Sequence, residues 1–293
     1  MSGKIVFLPL AAGIFFASVG IFVRELTYYE ISNETILFLR AAFAVLIMII
    51  FLYIKDKSLL KIKAKDVPLF IGTGIIGMLG LNLCYNNAIN SLNLSVAAVL
   101  LSSAPVFVVV LAALLFKEKI TGKKVLCICL VIVGCALAGG IAEMETAAVS
   151  DAAGILYGIG AALFYALYSI FSRLATDRGY HTYTVIFYSV LFITAVTAPF
   201  ADFQKTAGFI GEAPIYSLVF LLLHALLTSV LPYIFITAAL LYMEAGKVSI
   251  IASGTEPVAA LVFGFAVYHE TISILMALGI IITITALVIL RKE

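Results

Sequence analysis

The chain has 293 residues, of which 64% are hydrophobic and only 12% are charged. A soluble globular protein is nearer to about half apolar and about a quarter charged, so this composition excludes an ordinary soluble fold and indicates an integral membrane protein. The net charge of +2, without a long basic block, argues against a nucleic-acid partner. The four cysteines lie in apolar stretches without zinc-like spacing, so no metal site or cofactor is expected.

A helix that crosses a bilayer needs about 20 predominantly apolar residues. Ten such stretches follow one another along the chain, separated by short polar or charged segments. They are predicted at 5–23, 36–54, 67–89, 94–116, 125–142, 152–172, 183–201, 215–241, 248–268 and 272–290. No small-residue cleavage site follows the first stretch, so we expect it to remain as a helix rather than act as a signal peptide. The eighth stretch is long, and we expect tilt or a kink near Pro232.

The lysines and arginines of the short loops predict the orientation of the chain in the membrane. If the N-terminus is placed inside, the inner segments contain 15 of the 18 lysines and arginines. The predicted outer segments are acidic instead. We therefore expect a multi-pass protein of the cell membrane (the inner or plasma membrane) with both termini in the cytoplasm.

Two stretches of the chain repeat at an offset of 152 residues. Residues 103–106 (Ser-Ala-Pro-Val) lead to Glu118, and residues 255–258 (Thr-Glu-Pro-Val) lead to Glu270, with a proline-to-glutamate spacing of 13 in both. Each half holds five predicted spans, an odd number, so the halves enter the membrane from opposite sides. The prediction is an all-α membrane protein with ten transmembrane helices as two inverted five-helix repeats, at 1–142 and 143–293, and a site near the bilayer midplane between them.

With this pattern, the chain resembles the EamA group of the drug/metabolite transporter superfamily over nearly its whole length. The residues that carry the resemblance are Arg40, the stretch 88–98, Pro105, Glu118, Pro257 and Glu270. The resemblance implies ten helices, cytoplasmic termini and, commonly, export of amino acids or other metabolites.

Ionisable side chains inside membrane spans are costly, and they are therefore functional candidates. Arg40 could clamp a substrate carboxylate through two parallel hydrogen bonds, or it could snorkel outward or lock two helices together. Glu256 precedes Pro257, which lacks an N–H and frees the carbonyl of Ser253 four residues earlier. The Glu256 carboxylate could hold an amine or a coupling proton, or it could pair with Arg40 or with asparagines of the third span.

The remaining candidates for substrate binding are weaker. Asn82, Tyr85 and Asn86 fall on the third span, where the two asparagines share a helix face and could line a polar cavity or join helices. His224 titrates in a useful range, although a lone histidine on an apolar helix is more often a packed core residue. Tyr168 could be a cavity wall or part of the lipid-facing bulk. No catalytic residue is assigned.

Together, these features predict a secondary transporter that exports amino acids or similar small metabolites by alternating access, with protons as a candidate coupling ion. The expected partners are a small-molecule substrate and the lipid bilayer, and both a monomer and a homodimer remain open. A nucleotide-sugar or sugar-phosphate exchanger is the alternative among transporters, although a dianionic phosphate favours two or more cations and the second half offers none inside its spans. An intramembrane enzyme is the alternative from another class, but the sequence has no HExxH or GxSxG motif and no Walker motif.

Overall fold

The structure is a computed structural model that describes residues 3–92, 94–140, 151–269 and 273–291. All regular secondary structure in these residues is helical. The α-helices of the first half are α1 (Gly3–Ala17), α2 (Val19–Tyr28), α3 (Asn33–Lys55), α4 (Val67–Ile71), α5 (Gly80–Ser91), α6 (Leu94–Leu101), α7 (Ala104–Phe116) and α8 (Gly122–Ala138). Those of the second half are α9 (Ala152–Asp177), α10 (Thr182–Thr197), α11 (Phe203–Glu212), α12 (Pro214–Ala225), α13 (Leu231–Ala239), α14 (Ala245–Tyr268) and α15 (Ile274–Arg291).

Eight helical segments of the described chain are long and apolar enough to cross a membrane, and Ile274–Leu290 is a shorter apolar helix. The eight segments are Ile5–Tyr28, Asn33–Lys55, Ala64–Ile89, Val96–Phe116, Ala152–Asp177, Thr182–Phe200, Pro214–Ala239 and Ala245–Val267. Each overlaps one predicted span. The fifth predicted span, 125–142, overlaps the 17-residue helix α8 and runs beyond the described residues. A multi-span helical architecture is therefore confirmed, and the count of ten spans stays a prediction.

Two predictions made from the repeat fall outside the described residues. The boundary between the two predicted units, at 142 and 143, lies in the segment 141–150. Glu270, the second-half counterpart of Glu118, belongs to the segment 270–272.

Two predicted spans are broken rather than continuous. In the first span α1 and α2 are separated at Ser18, and in the fourth span α6 and α7 are separated at Ser102 and Ser103. Each of these serines donates its hydroxyl to a carbonyl of the preceding turn, at 2.7, 2.9 and 2.6 Å respectively. Serine hydroxyls compete in this way with the helical hydrogen bonds, and Pro105 offers no N–H to continue the helix across the second break.

Two other spans contain π-helical turns, at Gly72–Leu79 in the third span and at Leu226–Val230 in the eighth. The offset of 152 residues carries the first turn onto residues 224–231, so the two turns occupy matching places in the two halves. The irregularity expected near Pro232 takes this form, because the second turn ends just before that proline. A π turn inserts an extra residue per turn and rotates the face of the helix that follows it.

Helices of the two halves pack against each other in reciprocal pairs. By the offset of 152, α9 is the second-half counterpart of α1, and α7 is the first-half counterpart of α14. Helix α1 packs on α14, and the corresponding helices, α9 and α7, also pack on each other. In the same way α5 packs on α9, and α13 packs on α1. Such reciprocal pairs are the contacts that a two-fold relation between the halves produces.

Glycines permit two of these close crossings. A Cβ atom on Gly13 of α1 would lie 2.7 Å from the Cβ of Thr255 on α14. A Cβ atom on Gly77 would lie 2.7 Å from the Cα of Tyr168 on α9. Only a residue without a side chain allows the helix backbones to approach this closely.

One end of the helix bundle, which we call the lysine-rich end, is formed by loops 56–65, 117–121, 178–181 and 240–244. There the Tyr180 hydroxyl accepts from the backbone N–H of Lys63 at 3.1 Å and donates to Asp66 at 2.7 Å, and Arg178 also pairs with Asp66. The first and second halves are thus joined by hydrogen bonds at this end.

The opposite end, which we call the cavity end, is formed by loops 29–32 and 201–202. Helix α11 follows the second of these loops. The sequence predicted no helix there, because this segment is too short and too polar to cross a membrane. The N-cap residue of α11, Asp202, donates its backbone N–H to the Thr35 hydroxyl at 2.8 Å, and Lys205 pairs with Glu30 at 3.3 Å. Helix α11 therefore joins the two halves on this side of the bundle.

Candidate solute-binding cavity

A cavity of about 420 Å³ lies between the two halves. It extends from Arg24 and Asn33, near the cavity end, to Thr228 and Tyr233 inside the bundle. Its wall is mostly apolar, with a few polar side chains pointing into it. This size and lining are typical of a site for one small molecule.

Six of the eight predicted substrate-binding residues line this cavity. They are Arg40, Asn82, Tyr85, Asn86, Ser253 and Glu256. They come from α3, α5 and α14, so the structure brings together residues that are distant in the sequence. His224 and Tyr168 are not among the lining residues.

Arg40 is a buried cation in the cavity wall, with 7% of its surface exposed. Its Nη2 donates to the Oδ1 of Asn82 at 2.7 Å. None of the ion pairs among the described residues includes Arg40. The guanidinium is therefore anchored by a neutral amide, and its charge is not neutralised by a carboxylate.

Glu256 contributes a half-buried carboxyl group to the wall of the same cavity. It pairs with no cation and accepts no hydrogen bond from the described part of the chain, so neither structural alternative predicted for it is present there. The hydroxyls of Tyr85, Tyr165 and Tyr233 lie near enough to interact electrostatically with its carboxylate. Among the described residues, its immediate partners are thus tyrosines rather than a cation.

The carbonyl of Ser253, which Pro257 frees from the helix, has a partner within the protein. The thiol of Cys135 on α8 donates to it across an S···O distance of 3.8 Å. Main-chain carbonyls that lose a helical donor need another partner when buried. This carbonyl therefore joins the two halves, while the Ser253 residue lines the cavity wall.

The polar face of α5 lies directly after the π turn that precedes this helix. Asn82, Tyr85, Asn86 and Ile89 all line the cavity, and their spacing of three and four residues places them on one face of a helix. Asn82 also donates its Nδ2 to the carbonyl of Met78, within the π turn, at 2.7 Å. The turn thus sets the direction in which this face points.

His224 is completely buried beside Phe22, with the two rings stacked at a centroid distance of 5.1 Å. Neither ring nitrogen has a hydrogen-bond partner among the described residues. The histidine lies in an aromatic group that includes Phe220, outside the cavity wall.

Tyr168 lies beneath the cavity rather than in its wall. It is fully buried, its hydroxyl is 2.9 Å from the Thr237 hydroxyl, and its ring meets the ring of Tyr233 edge to face at 4.9 Å. Tyr233 lines the cavity and also packs edge to face on Phe16, at 5.0 Å. These aromatic rings form a floor between the cavity and the lysine-rich end.

Below this floor, polar groups of both halves close the lysine-rich end. Glu118, just after α7, accepts the backbone N–H groups of Ala245 and Gly246 at 2.9 and 3.4 Å, so it caps the N-terminus of α14. Lys124 of α8 is 1% exposed and pairs with Glu244 at 2.7 Å. A carboxylate at a helix N-terminus is stabilising because the first N–H groups lack helical partners.

A further layer of contacts holds the loop that precedes α14. The Nη1 of Arg173 donates to the carbonyls of Leu240 and Met243 at 2.6 and 3.1 Å. The same guanidinium lies over the ring of Phe116, 5.8 Å from its centroid. The lysine-rich end is therefore closed by many directed contacts, whereas the other end contains the cavity.

Several lining residues were not assigned to the site from the sequence. They are Arg24, Asn33, Ser102 and Thr228. The repeat could have found two further lining residues from the predicted ones. The offset of 152 relates the predicted Ser253 to Leu101 and the predicted Glu256 to Ala104, and all four residues line the cavity.

No group of three or more histidine, cysteine, aspartate or glutamate side chains that could hold a metal ion occurs among the described residues. The groups that line the cavity are therefore the guanidiniums of Arg24 and Arg40, the carboxylate of Glu256, amides, hydroxyls and aromatic rings. These groups can bind a small solute through charge and hydrogen bonds.

Comparison with known proteins gives the same class of protein. The model of the EamA-like transporter family matches residues 3–140 and again residues 152–291. Two relatives from Pseudomonas aeruginosa are each named pseudopaline exporter CntI. The protein of strain UCBPP-PA14 is 28% identical over 69% of this chain and 68% of its own length. That of strain PAO1 is 27% identical over 66% of this chain and 65% of its own length.

A solved crystal structure superposes on the whole fold. It covers 100% of this chain and 98% of its own chain with a TM-score of 0.78 at 14% sequence identity, a likeness that concerns the fold alone. The two family matches together cover most of the chain, in the two halves that the repeat defines. The chain therefore belongs to the EamA-like transporter family, and it is a multi-pass membrane transporter.

Proposed function

We propose that this protein is a secondary transporter that exports amino acids or similar small metabolites through the cavity between its halves. The observation that carries this proposal is that Arg40 and Glu256 line one cavity without pairing with each other. Charged groups inside a membrane protein normally pair with one another or serve a substrate pathway. A solute that carries both a carboxylate and an amine would complement the two charges.

Alternating access needs a cavity that opens to one side of the membrane at a time. In this structure one end of the bundle is open to the cavity and the other end is closed. The cavity extends to the exposed Arg24 near the cavity end, while rings and ion pairs close the lysine-rich end. We take this conformation to be open toward the outside of the cell membrane. The lysine-rich loops then lie in the cytoplasm with both termini, as the distribution of basic residues favours.

An inverted relation between the halves would supply the second conformation. Its support comes from α7 and α14, which hold equivalent places in the two halves and pack on each other. Glu118, just after the end of α7, caps the start of α14, so the two helices run in opposite directions. A two-fold axis that relates antiparallel spans lies in the plane of the membrane, and exchange of the two halves' conformations would open the opposite side.

Glu256 is also the candidate for proton coupling. A half-buried carboxylate with tyrosines near it and no ion-pair partner among the described residues can bind a proton in one conformation and release it in another. Binding of an amine would compete with that proton. Export driven by an inward proton gradient follows from such competition.

The proposal is tested by entrance counterflow into proteoliposomes that contain the purified protein. The solutes are L-amino acids, pseudopaline, which the relatives are named for exporting, and sugar phosphates. We expect saturable counterflow of solutes that carry both an amine and a carboxylate. Glu256→Gln should lower it by roughly 10- to 100-fold, because a charge-assisted hydrogen bond to the amine is lost.

The control variant is Glu34→Gln, which removes an exposed carboxylate from the first turn of α3, outside the cavity. It should transport like the parent protein. Counterflow of sugar phosphates alone would favour the exchanger instead, and equal effects of the two substitutions would contradict the role of Glu256.

A further inference from the structure

The side chain of Asn82 is fixed at both of its polar atoms. Its Nδ2 donates to the carbonyl of Met78 at 2.7 Å, and its Oδ1 accepts from the Nη2 of Arg40 at 2.7 Å. A flipped amide would set N–H groups against the guanidinium and an oxygen against the carbonyl. The orientation of this amide is therefore determined by its partners.

The position of Asn82 comes from the π turn that joins α4 to α5. Met78 lies in that turn and Asn82 lies in the first turn of α5, so their hydrogen bond ties the side chain to the irregular backbone. Arg40 belongs to a different span, α3. The contact between them thus fixes the guanidinium relative to the polar face of α5.

A neutral partner has a particular consequence for Arg40. An amide oxygen satisfies one N–H donor of the guanidinium, whereas a carboxylate would also cancel its charge. Arg40 is buried, and Glu256, which lines the same cavity, is not within ion-pair distance of it. The positive charge is therefore held in place and remains available to an anionic group that enters the cavity.

We propose that Asn82 is a positioning residue that holds the Arg40 guanidinium toward the cavity with its charge uncompensated, so that Arg40 binds the carboxylate of the solute. This inference rests on the proposed function and assigns one end of the solute to one side of the cavity. It also explains why an asparagine, and not an aspartate, suits this place.

The test compares L-amino acids with the corresponding L-amino acid amides as probes in the same counterflow assay. Each pair shares the amine and the side chain, and only the acid has a carboxylate. The parent protein should prefer the acids. Asn82→Asp should lower the ratio of acid to amide transport by about tenfold or more, because the new carboxylate pairs with Arg40 in place of the solute.

Asn87→Asp is the matched control on the same helix. Asn87 donates its Nδ2 to the carbonyl of Leu83 at 2.8 Å, much as Asn82 does to Met78, but it is exposed and does not line the cavity. This variant should keep the acid-to-amide ratio of the parent protein. Asn82→Ala should raise the KM for acids and leave the KM for amides unchanged, a separation that general loss of packing would not produce.

The outcomes distinguish this inference from the proposed function. If the parent protein prefers acids and Asn82→Asp keeps that preference, the inference is overturned while the proposed function stands. If the parent protein transports neither set of probes, both are overturned. If Asn82→Asp does not fold, the Asn82→Ala ratio decides, and an unchanged ratio overturns the inference.

Discussion

Lys124 and Glu118 at the lysine-rich end of the bundle have partners of opposite charge or polarity, whereas the cavity holds two charged residues that have no ion-pair partner in the described part of the chain. At the lysine-rich end, the buried Lys124 pairs with Glu244, and Glu118 caps the first N–H groups of α14. In the cavity, Arg40 is buried and Glu256 is half-buried, but no ion pair of the described residues includes either one.

This difference separates structural charges from candidate functional ones. A buried charge needs compensation, and at the lysine-rich end that compensation comes from the opposite half of the protein. In the cavity it is incomplete, so a solute or a proton can supply it. Lys124 and Arg40 are both buried, so burial does not distinguish a structural charge from a functional one. Their partners do, because Lys124 pairs with a carboxylate and Arg40 contacts a neutral amide.

The largest effect on this contrast is expected from Lys124→Met, which removes the buried cation of the closed end. The free energy of unfolding should fall by about 2 kcal/mol, less than for a fully buried pair because Glu244 is half-exposed and can be rehydrated. Thermal unfolding in detergent measures the change. The neighbouring Lys123 is exposed, so Lys123→Met should leave the melting temperature nearly unchanged.

The same substitution should also make the cavity accessible from the lysine-rich side. A Ser102→Cys probe in the cavity wall, in a background without Cys84 and Cys129, can be labelled with a membrane-impermeant maleimide. We expect Lys124→Met to increase labelling from the lysine-rich side. Unchanged labelling together with unchanged stability would show that the Lys124–Glu244 pair does not hold this end closed.

A smaller effect is expected from Glu118→Ala, which removes the cap of α14. The loss should be about 1 kcal/mol, the usual contribution of a side-chain cap at a helix N-terminus. Glu118→Gln keeps an acceptor oxygen but not the charge, so it should lose only part of this stability. Equal melting temperatures for both variants and the parent protein would contradict the capping role.

The smallest effect concerns pH at the lysine-rich end. Partial burial and the nearby Lys55 ammonium lower the pKa of His181 below its usual 6.5, and its Nδ1 caps α10 by accepting the N–H of Tyr183 at 3.2 Å. The neutral form is thus favoured by folding. Its contribution is present above pH 6.5 and is lost as the pH falls through the lower folded-state pKa.

Because His181 is largely exposed, this contribution should not exceed a few tenths of a kcal/mol. His181→Asn keeps a good N-cap residue that does not titrate. Melting temperatures of the parent protein and this variant, measured between about pH 7.5 and pH 5.5, should therefore converge at high pH and separate at low pH. Parallel curves would rule out a titrating cap.

Much of the architecture could be predicted from the sequence because hydrophobic length and charge distribution are local properties. Each of the eight long apolar segments overlaps a predicted span. The repeat of residues 103–106 at 255–258 anticipated two related halves, which the family matches bear out. The breaks at Ser18 and Ser102 were not predicted, because apolar composition is the same in a continuous helix and in an interrupted one.

The site could be predicted only in part. Arg40 and Glu256 could be identified as candidate site residues without knowledge of the fold, because charged side chains inside membrane spans are rare. The same argument also selected His224, which instead packs on Phe22 outside the cavity wall. Which way a helix residue points depends on the turns before it, and the π turns at Gly72–Leu79 and Leu226–Val230 leave no clear signal in the sequence.

The sequence by itself determined that this chain crosses a membrane many times, because bilayer thickness fixes the length of an apolar span. It also determined that the chain has two related halves, because residues of the first half recur in the second at a constant offset. Only the tertiary structure decided which polar groups meet. Arg40 contacts Asn82 across 42 residues, and Cys135 reaches the carbonyl of Ser253 across 118. Such contacts depend on the phase and crossing of separate helices, which hydrophobicity along one chain does not specify.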